Sequence, residues 1–391
     1  MSWTAGESIS STLLRNDTSL NGISAVAMAK ERVVVACEIF ESSTSGITTT
    51  LKINKINCNT NNYSSLEGTP LSNVCKLFSN IVYLQDKIYV VGYFTGEGGI
   101  FCLRIFVTSI CDRRNEWSCI HKRNSRFGGP VLPPPGKNMV GIDDYLYLFD
   151  LQINNMGRYN IIRDKWEVLP PIPIPTQIPI LITRFFNTAV RCGNSIYLIG
   201  EKRHRFSSIL STSIDVFDII TQKWKTVDKP TPVPRPRKLY AAVSVNERYI
   251  VVIGCKNPQS KTLPVSDSQI LDSFSNIWYT SECNMFAKRF GCTVIAHDGQ
   301  DPQLTVIGGQ NEKFEQLCSV EKISIYRLQP KLLPIWQPEL HQYYCVQTKK
   351  LVIFMLQAVR RGKFHIPKDV LIDHIFPYAC SPLFYQGSLS V

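Results

Sequence analysis

The sequence predicts an all-β fold, a β-propeller of six blades followed by a short C-terminal helical segment. Three observations predict it. A short apolar run recurs six times, an aromatic residue follows at a near-constant distance, and proline-rich connectors separate several of the copies.

The runs are residues 33–37 (VVVAC), 88–92 (IYVVG), 146–150 (LYLFD), 196–200 (IYLIG), 250–254 (IVVIG) and 304–308 (LTVIG), and their last residues lie 55, 58, 50, 54 and 54 positions apart. They are rich in β-branched and aromatic residues. Polar, turn-like stretches such as 84–87 (LQDK) and 192–195 (CGNS) precede them, as expected of a strand entered from a tight turn. The second feature keeps step with the first. An apolar residue is followed seven positions later by tryptophan in Ile110/Trp117, Tyr159/Trp166, Phe217/Trp224 and Leu271/Trp278. Ile56/Tyr63 keeps the spacing with tyrosine, and Tyr326/Trp336 carries three extra residues. Turn formers lie between the partners, which suits a hairpin, and a large ring at the start of an outer strand can fill the gap between neighbouring twisted sheets. The third feature is proline at 130–135, 170–179 and 230–236. Proline stiffens an extended link and cannot join a central strand, so these segments carry the chain from sheet to sheet.

The resulting unit of 50 to 58 residues resembles the kelch repeat, whose strand ends in two glycines and is followed by a tyrosine and a tryptophan at fixed separation. Gly308-Gly309 is the intact double glycine. Tyr93, Glu201 and Cys255 stand at the second glycine elsewhere, and Cys37 and Asp150 replace the first. Tyr159/Trp166, the 217–224 segment and the Pro-Arg endings at Arg235 and Arg237 carry the likeness best. The expected organisation is an N-terminal segment (1–21) that can supply a closing strand around Trp3, a propeller over 22–338, and a helical tail over 339–391. A ring must close, because an open blade leaves a sheet edge exposed.

Composition sets the remaining bounds. Of 391 residues, 44% are hydrophobic, enough for a full core. The first 20 residues lack an apolar stretch behind a basic start, and the longest apolar run, 351–356, is too short to cross a bilayer. The thirteen cysteines are odd in number and form no C-x-x-C pair, which reads as reduced thiols in a cytoplasmic protein. A net charge of +12 favours an acidic partner, while no recognised nucleic-acid module accompanies it.

Catalytic patterns are absent from the sequence. It holds no H-E-x-x-H, no G-x-S-x-G, and six scattered histidines; the glycine-rich stretch 96–99 falls between predicted strands. Galactose oxidase, a copper enzyme, is the alternative that the kelch resemblance suggests, but its ligands find no residue-by-residue match. The expectation is therefore a binding protein without cofactor. Its candidate surface is the set of loops that follow the repeated runs, at 93–100, 201–209, 255–268 and 309–316. Lys202, Arg203, His204, Arg205 and Phe206 combine clustered cations with an aromatic, and Arg235, Arg237 and Lys256 extend the basic set.

In the tail, Tyr344, Leu351, Phe354, Met355 and Val359 recur at near-helical spacing, with Arg360 and Arg361 in the last turn and Gly362 as a stop. A second helix is expected from Pro367. The segment 366–371 with Ile375-Phe376 is similar to the start of an F-box, although three residues separate Val370-Leu371 from Ile375-Phe376 where two are usual. That resemblance implies recruitment of a substrate to a ubiquitin ligase component, with Val370, Leu371, Ile375 and Phe376 as the docking set. The alternative is a helical cover for the ring with a purely structural role.

Overall fold

The computed structural model describes residues 4–5, 23–28, 33–42, 48–57, 63–66, 70–72, 76–95, 101–109, 118–124, 139–150, 155–172, 182–204, 210–225, 240–256, 264–315, 317, 319–332, 346–361 and 366–376. The described strands form a ring of antiparallel sheets. The first strands of successive sheets are Ile23–Met28, Lys76–Leu84, Met139–Ile142, Ile182–Cys192, Ala241–Val245 and Thr293–His297. Each neighbours the next, and Thr293–His297 returns to Ile23–Met28, so the chain closes on itself.

Five sheets are regular four-stranded blades, rather than the six expected. The first repeat departs from the pattern. Its strands Ile23–Met28, Val33–Ser42, Thr48–Asn57 and Tyr63–Leu66 are joined by a fifth, Pro70–Ser72, which pairs with the far end of Thr48–Asn57. The long third strand leaves that end free once Tyr63–Leu66 has paired with residues 53–56, and the extra strand occupies it.

The repeated apolar runs form the second strand of each sheet. Tyr249–Ile253 is buried along its whole length because sheets cover both of its faces. Among the described residues, four clusters lie between sheets. One joins Val190, Tyr197 and Ile199 of the fourth sheet to Ile250 and Leu271 of the fifth, and to Tyr240 just before its first strand. Full burial of each such aliphatic side chain contributes about 1.5–3 kcal/mol. At the ring's centre first strands approach closely: a Cβ on Gly141 would lie 2.3 Å from Val82 Cγ1 of the preceding blade.

The last blade closes by an N-terminal strand. Its order is Thr293–His297, Gln303–Ile307, Val320–Ser324 and then Thr4–Ala5, with Thr4 opposite Lys322 and Ala5 opposite Glu321. The expected Tyr326/Trp336 hairpin is not formed at its first partner. Ser324 caps a helical turn, Ile325–Leu328, with its side chain accepting from the Tyr326 amide, and that turn takes the chain out of the sheet. Trp3, Trp117 and Trp336 lie outside the described residues.

The tail helix spans Val346–Arg360, and a shorter one follows from Lys368, winding wider over Leu371–Ile375. Val352, Leu371 and Phe376 belong to the same buried cluster as Val251, Leu304, Ile325 and Leu328. The helices thus extend the core between the fifth sheet and the last. Of the residues that recur at helical spacing, Phe354 is exposed. No described helix is long and apolar enough to cross a membrane.

Candidate interaction surfaces

The geometry that recurs most closely is the outer hairpin of three consecutive blades. Tyr159 pairs with Trp166, Phe217 with Trp224, and Leu271 with Trp278 across the third and fourth strands, and the two ring pairs stand 5.3 and 5.2 Å apart. The residue after the first partner carries a side-chain oxygen that folds the turn. Asn160 Oδ1 accepts from the Ile162 and Arg163 amides at 3.0 and 2.8 Å. Asp218 Oδ1 accepts from Ile220 and Thr221 at 3.1 and 2.9 Å, and Asp272 Oδ1 from Phe274 at 3.1 Å. Such side-chain-to-backbone bonds two residues on are the way Asn and Asp build turns. Each turn ends in a left-handed residue, Asp164 (φ 48°), Gln222 (φ 55°) or Asn276 (φ 56°), and Asn and Asp tolerate that region better than other side chains.

Each outer turn is also tied to the hairpin between the first two strands. The Ile161, Ile219 and Ser273 amides donate to the carbonyls of Asp144, Asn194 and Arg248. Both turns therefore lie on the same face of the ring. Held this way, the turns present Ile162, Ile220 and Phe274 to solvent at 68, 72 and 76% exposure. Exposed Arg163, Lys165 and Lys223 stand beside them in the chain.

Other charges on these hairpins are paired. Arg158 bonds Glu167 through Nε at 2.6 Å and lies 4.2 Å over the Tyr145 ring. Arg248 grips Asp272 with two bonds of 3.0 and 2.8 Å and lies 5.2 Å over Phe274. Burial pushes the Asp272 carboxyl up, but the Arg248 and Phe274 donors outweigh it and hold the group below the usual carboxylate range. Asp218 is lowered by the Thr221 amide first and by Lys225, 3.1 Å away, second. Burial beside Asp164 pushes the Tyr159 phenol well above its ordinary value.

The binding residues expected from sequence fall at the opposite end of the strands. Lys202, Arg203 and His204 finish the strand Ser195–His204, and Lys256 sits in the short strand Cys255–Lys256. Arg205, Phe206, Arg235 and Arg237 lie outside the described residues. The best-described loop at that end is 309–315, where Asn311 Oδ1 accepts from the Lys313 and Glu315 amides and Phe314 meets Phe290 edge-on at 5.4 Å. Of the expected tail docking set, Leu371 and Phe376 are fully buried, Ile375 is half-buried and Val370 is exposed at 38%. Two of the four thus belong to the core. Cys119, Cys192, Cys283 and Cys292 are not joined by disulfides, and among the described residues no three His, Cys, Asp or Glu side chains gather as a metal would require.

The sequence did carry a signal for the exposed tips. Ile162, Ile220 and Phe274 stand three residues after Tyr159, Phe217 and Leu271, an apolar residue at the same place in three turns.

The ring of regular blades and its tied hairpins define a β-propeller with a helical tail. The chain is similar to the solved structure of YjhT, with a TM-score of 0.54 and 12% identity, covering 78% of this chain and 95% of that one. At that identity the likeness shows the fold alone. No family model and no curated protein matches the sequence.

Proposed function

We propose that the chain is a kelch-type propeller acting in the cytoplasm as a protein-binding scaffold. The observation that carries this reading is the set of apolar side chains, Ile162, Ile220 and Phe274, held out from equivalent, tied-down turns on one face. Rigid turns bind with little ordering cost. The partner is a protein with apolar recesses bordered by carboxylates, since Arg163, Lys165 and Lys223 are the exposed cations beside the tips and the chain carries +12 overall.

The test is quantitative purification from the native cell with the wild-type chain and with an Ile162→Asp/Ile220→Asp/Phe274→Asp variant, both checked for folding by circular dichroism. Loss of a specific retained protein by about tenfold or more supports the reading, because apolar anchors dominate interface energy. Equal retention of every partner by the two chains overturns it. Charge reversal at Lys202 and Arg203 in the same experiment reads the opposite face. Recruitment to a ubiquitin ligase through Val370, Leu371, Ile375 and Phe376 is a finer proposal, and the burial of Leu371 and Phe376 does not favour it.

A further inference from the structure

We infer that the outer face of the tail helix is a second docking surface, and that its occupant is an acidic amphipathic helix of a protein partner. The helix Val346–Arg360 is apolar on two sides. Leu351, Val352, Met355, Leu356 and Val359 pack into the core between the fifth sheet and the last. On the opposite side Ile353 and Phe354 stand 49 and 64% exposed. At 100° per residue Lys350, Ile353, Phe354, Gln357 and Arg361 fall on one face, with the two apolar residues at its centre and a cation at each end. A helix that is apolar on both sides is ordinarily covered on both.

Charge identifies the cover. The helix holds no acidic residue, and none of its exposed cations takes part in an ion pair described in the structure. Arg360 and Arg361 are placed to favour the helix dipole, but Lys349 and Lys350, one turn from the N-terminus, gain nothing from it. Their placement suits instead a partner that carries carboxylates around an apolar stripe, the helix-against-helix form of recognition. This surface is separate from the propeller turns, and the inference stands or falls independently of them.

The experiment uses the full chain and a fluorescently labelled 18-residue peptide with Leu at helical i, i+3, i+4, i+7 spacing and Glu elsewhere. Anisotropy should show binding that weakens about tenfold or more for a scrambled peptide of the same composition, for a peptide with Lys in place of Glu, and for the Phe354→Ser chain. Lys350→Glu combined with Arg361→Glu should transfer the preference to the Lys peptide, an outcome that misfolding cannot produce. The Ile162→Asp/Ile220→Asp/Phe274→Asp chain should bind the Glu peptide as the wild type does. Equal binding of the scrambled peptide, or no transfer on charge reversal, overturns the inference. So does binding to phosphatidylserine vesicles without binding to the Glu peptide, which would assign the face to a membrane surface.

Discussion

Removing either member of the Arg289–Glu321 pair should destabilise the last blade by about 3–5 kcal/mol, because each would leave a buried group without its counter-charge. Both side chains are almost fully buried. Arg289 donates to the Gly308 carbonyl at 2.8 Å, to the Ser319 carbonyl and hydroxyl at 3.2 and 2.9 Å, and to Glu321 Oε1. Glu321 in turn accepts from the Phe286 and Ala287 amides at 2.9 and 3.1 Å. Arg289→Met takes a donor from the Ala287, Gly308 and Ser319 carbonyls and leaves the carboxylate without its counter-charge, and Glu321→Gln places an amide where three donors already converge. The loss is a large share of the roughly 5–15 kcal/mol that holds an ordinary domain together. Because Ala5 is paired opposite Glu321, the damage should reach the closing strand. Urea unfolding gives the total, and amide hydrogen exchange at Phe286, Ala287 and Ala5 locates it. The double variant Arg289→Met/Glu321→Met should cost clearly less than the sum of the single changes, since neither side then keeps a lone charge. Single variants within about 1 kcal/mol of wild type, with unchanged exchange at these amides, would refute the reasoning.

Gly141→Ala should cost about 1–3 kcal/mol by overpacking against Val82, and Val82→Ala in the same chain should recover part of that loss in urea unfolding. The depressed carboxyls of Asp218 and Asp272 bind protons more weakly folded than unfolded. Their stabilisation is present above the ordinary carboxylate pKa of about 4 and is lost as pH falls through the lower folded values. The acid limb of the unfolding midpoint should therefore be shallower in Asp272→Asn, and an unchanged limb would count against the Arg248 pairing. Deleting residues 340–391 should lower the melting temperature and expose the fifth and last sheets to exchange, since Val352, Leu371 and Phe376 each contribute about 1.5–3 kcal/mol of burial. A truncated chain that melts with the wild type would show that the tail is a separate module.

What the sequence revealed follows from the range of the interactions involved. The repeated run and the Tyr159/Trp166, Phe217/Trp224 and Leu271/Trp278 pairs were legible because strand and hairpin bring together residues a few positions apart. The need for an N-terminal closing strand was legible from ring closure, though not its register on Val320–Ser324, and the extra strand Pro70–Ser72 was not legible at all, since two or three residues carry no periodicity and their partners are set by whichever sheet edge is left open. Arg289 and Glu321 lie 32 residues apart with no motif linking them. Phe354 was read in one series with Leu351, Met355 and Val359, because spacing alone cannot tell which of two apolar faces meets the core.

The exposed tips were hidden for a different reason. The apolar residue repeated between the hairpin partners stands among turn formers, and a turn is ordinarily taken for a solvated connection. In the structure the Asn160, Asp218 and Asp272 oxygens and the bonds to the inner hairpins secure the backbone by themselves. The next side chain but one is then released from any part in folding the turn, and any residue type could stand there. Ile162, Ile220 and Phe274 are all large and apolar and are exposed at 68% or more. Phe274 carries Arg248 over its ring, but an aliphatic side chain in water gives little back to the fold, so Ile162 and Ile220 are better accounted for by what the face meets than by what the blade needs.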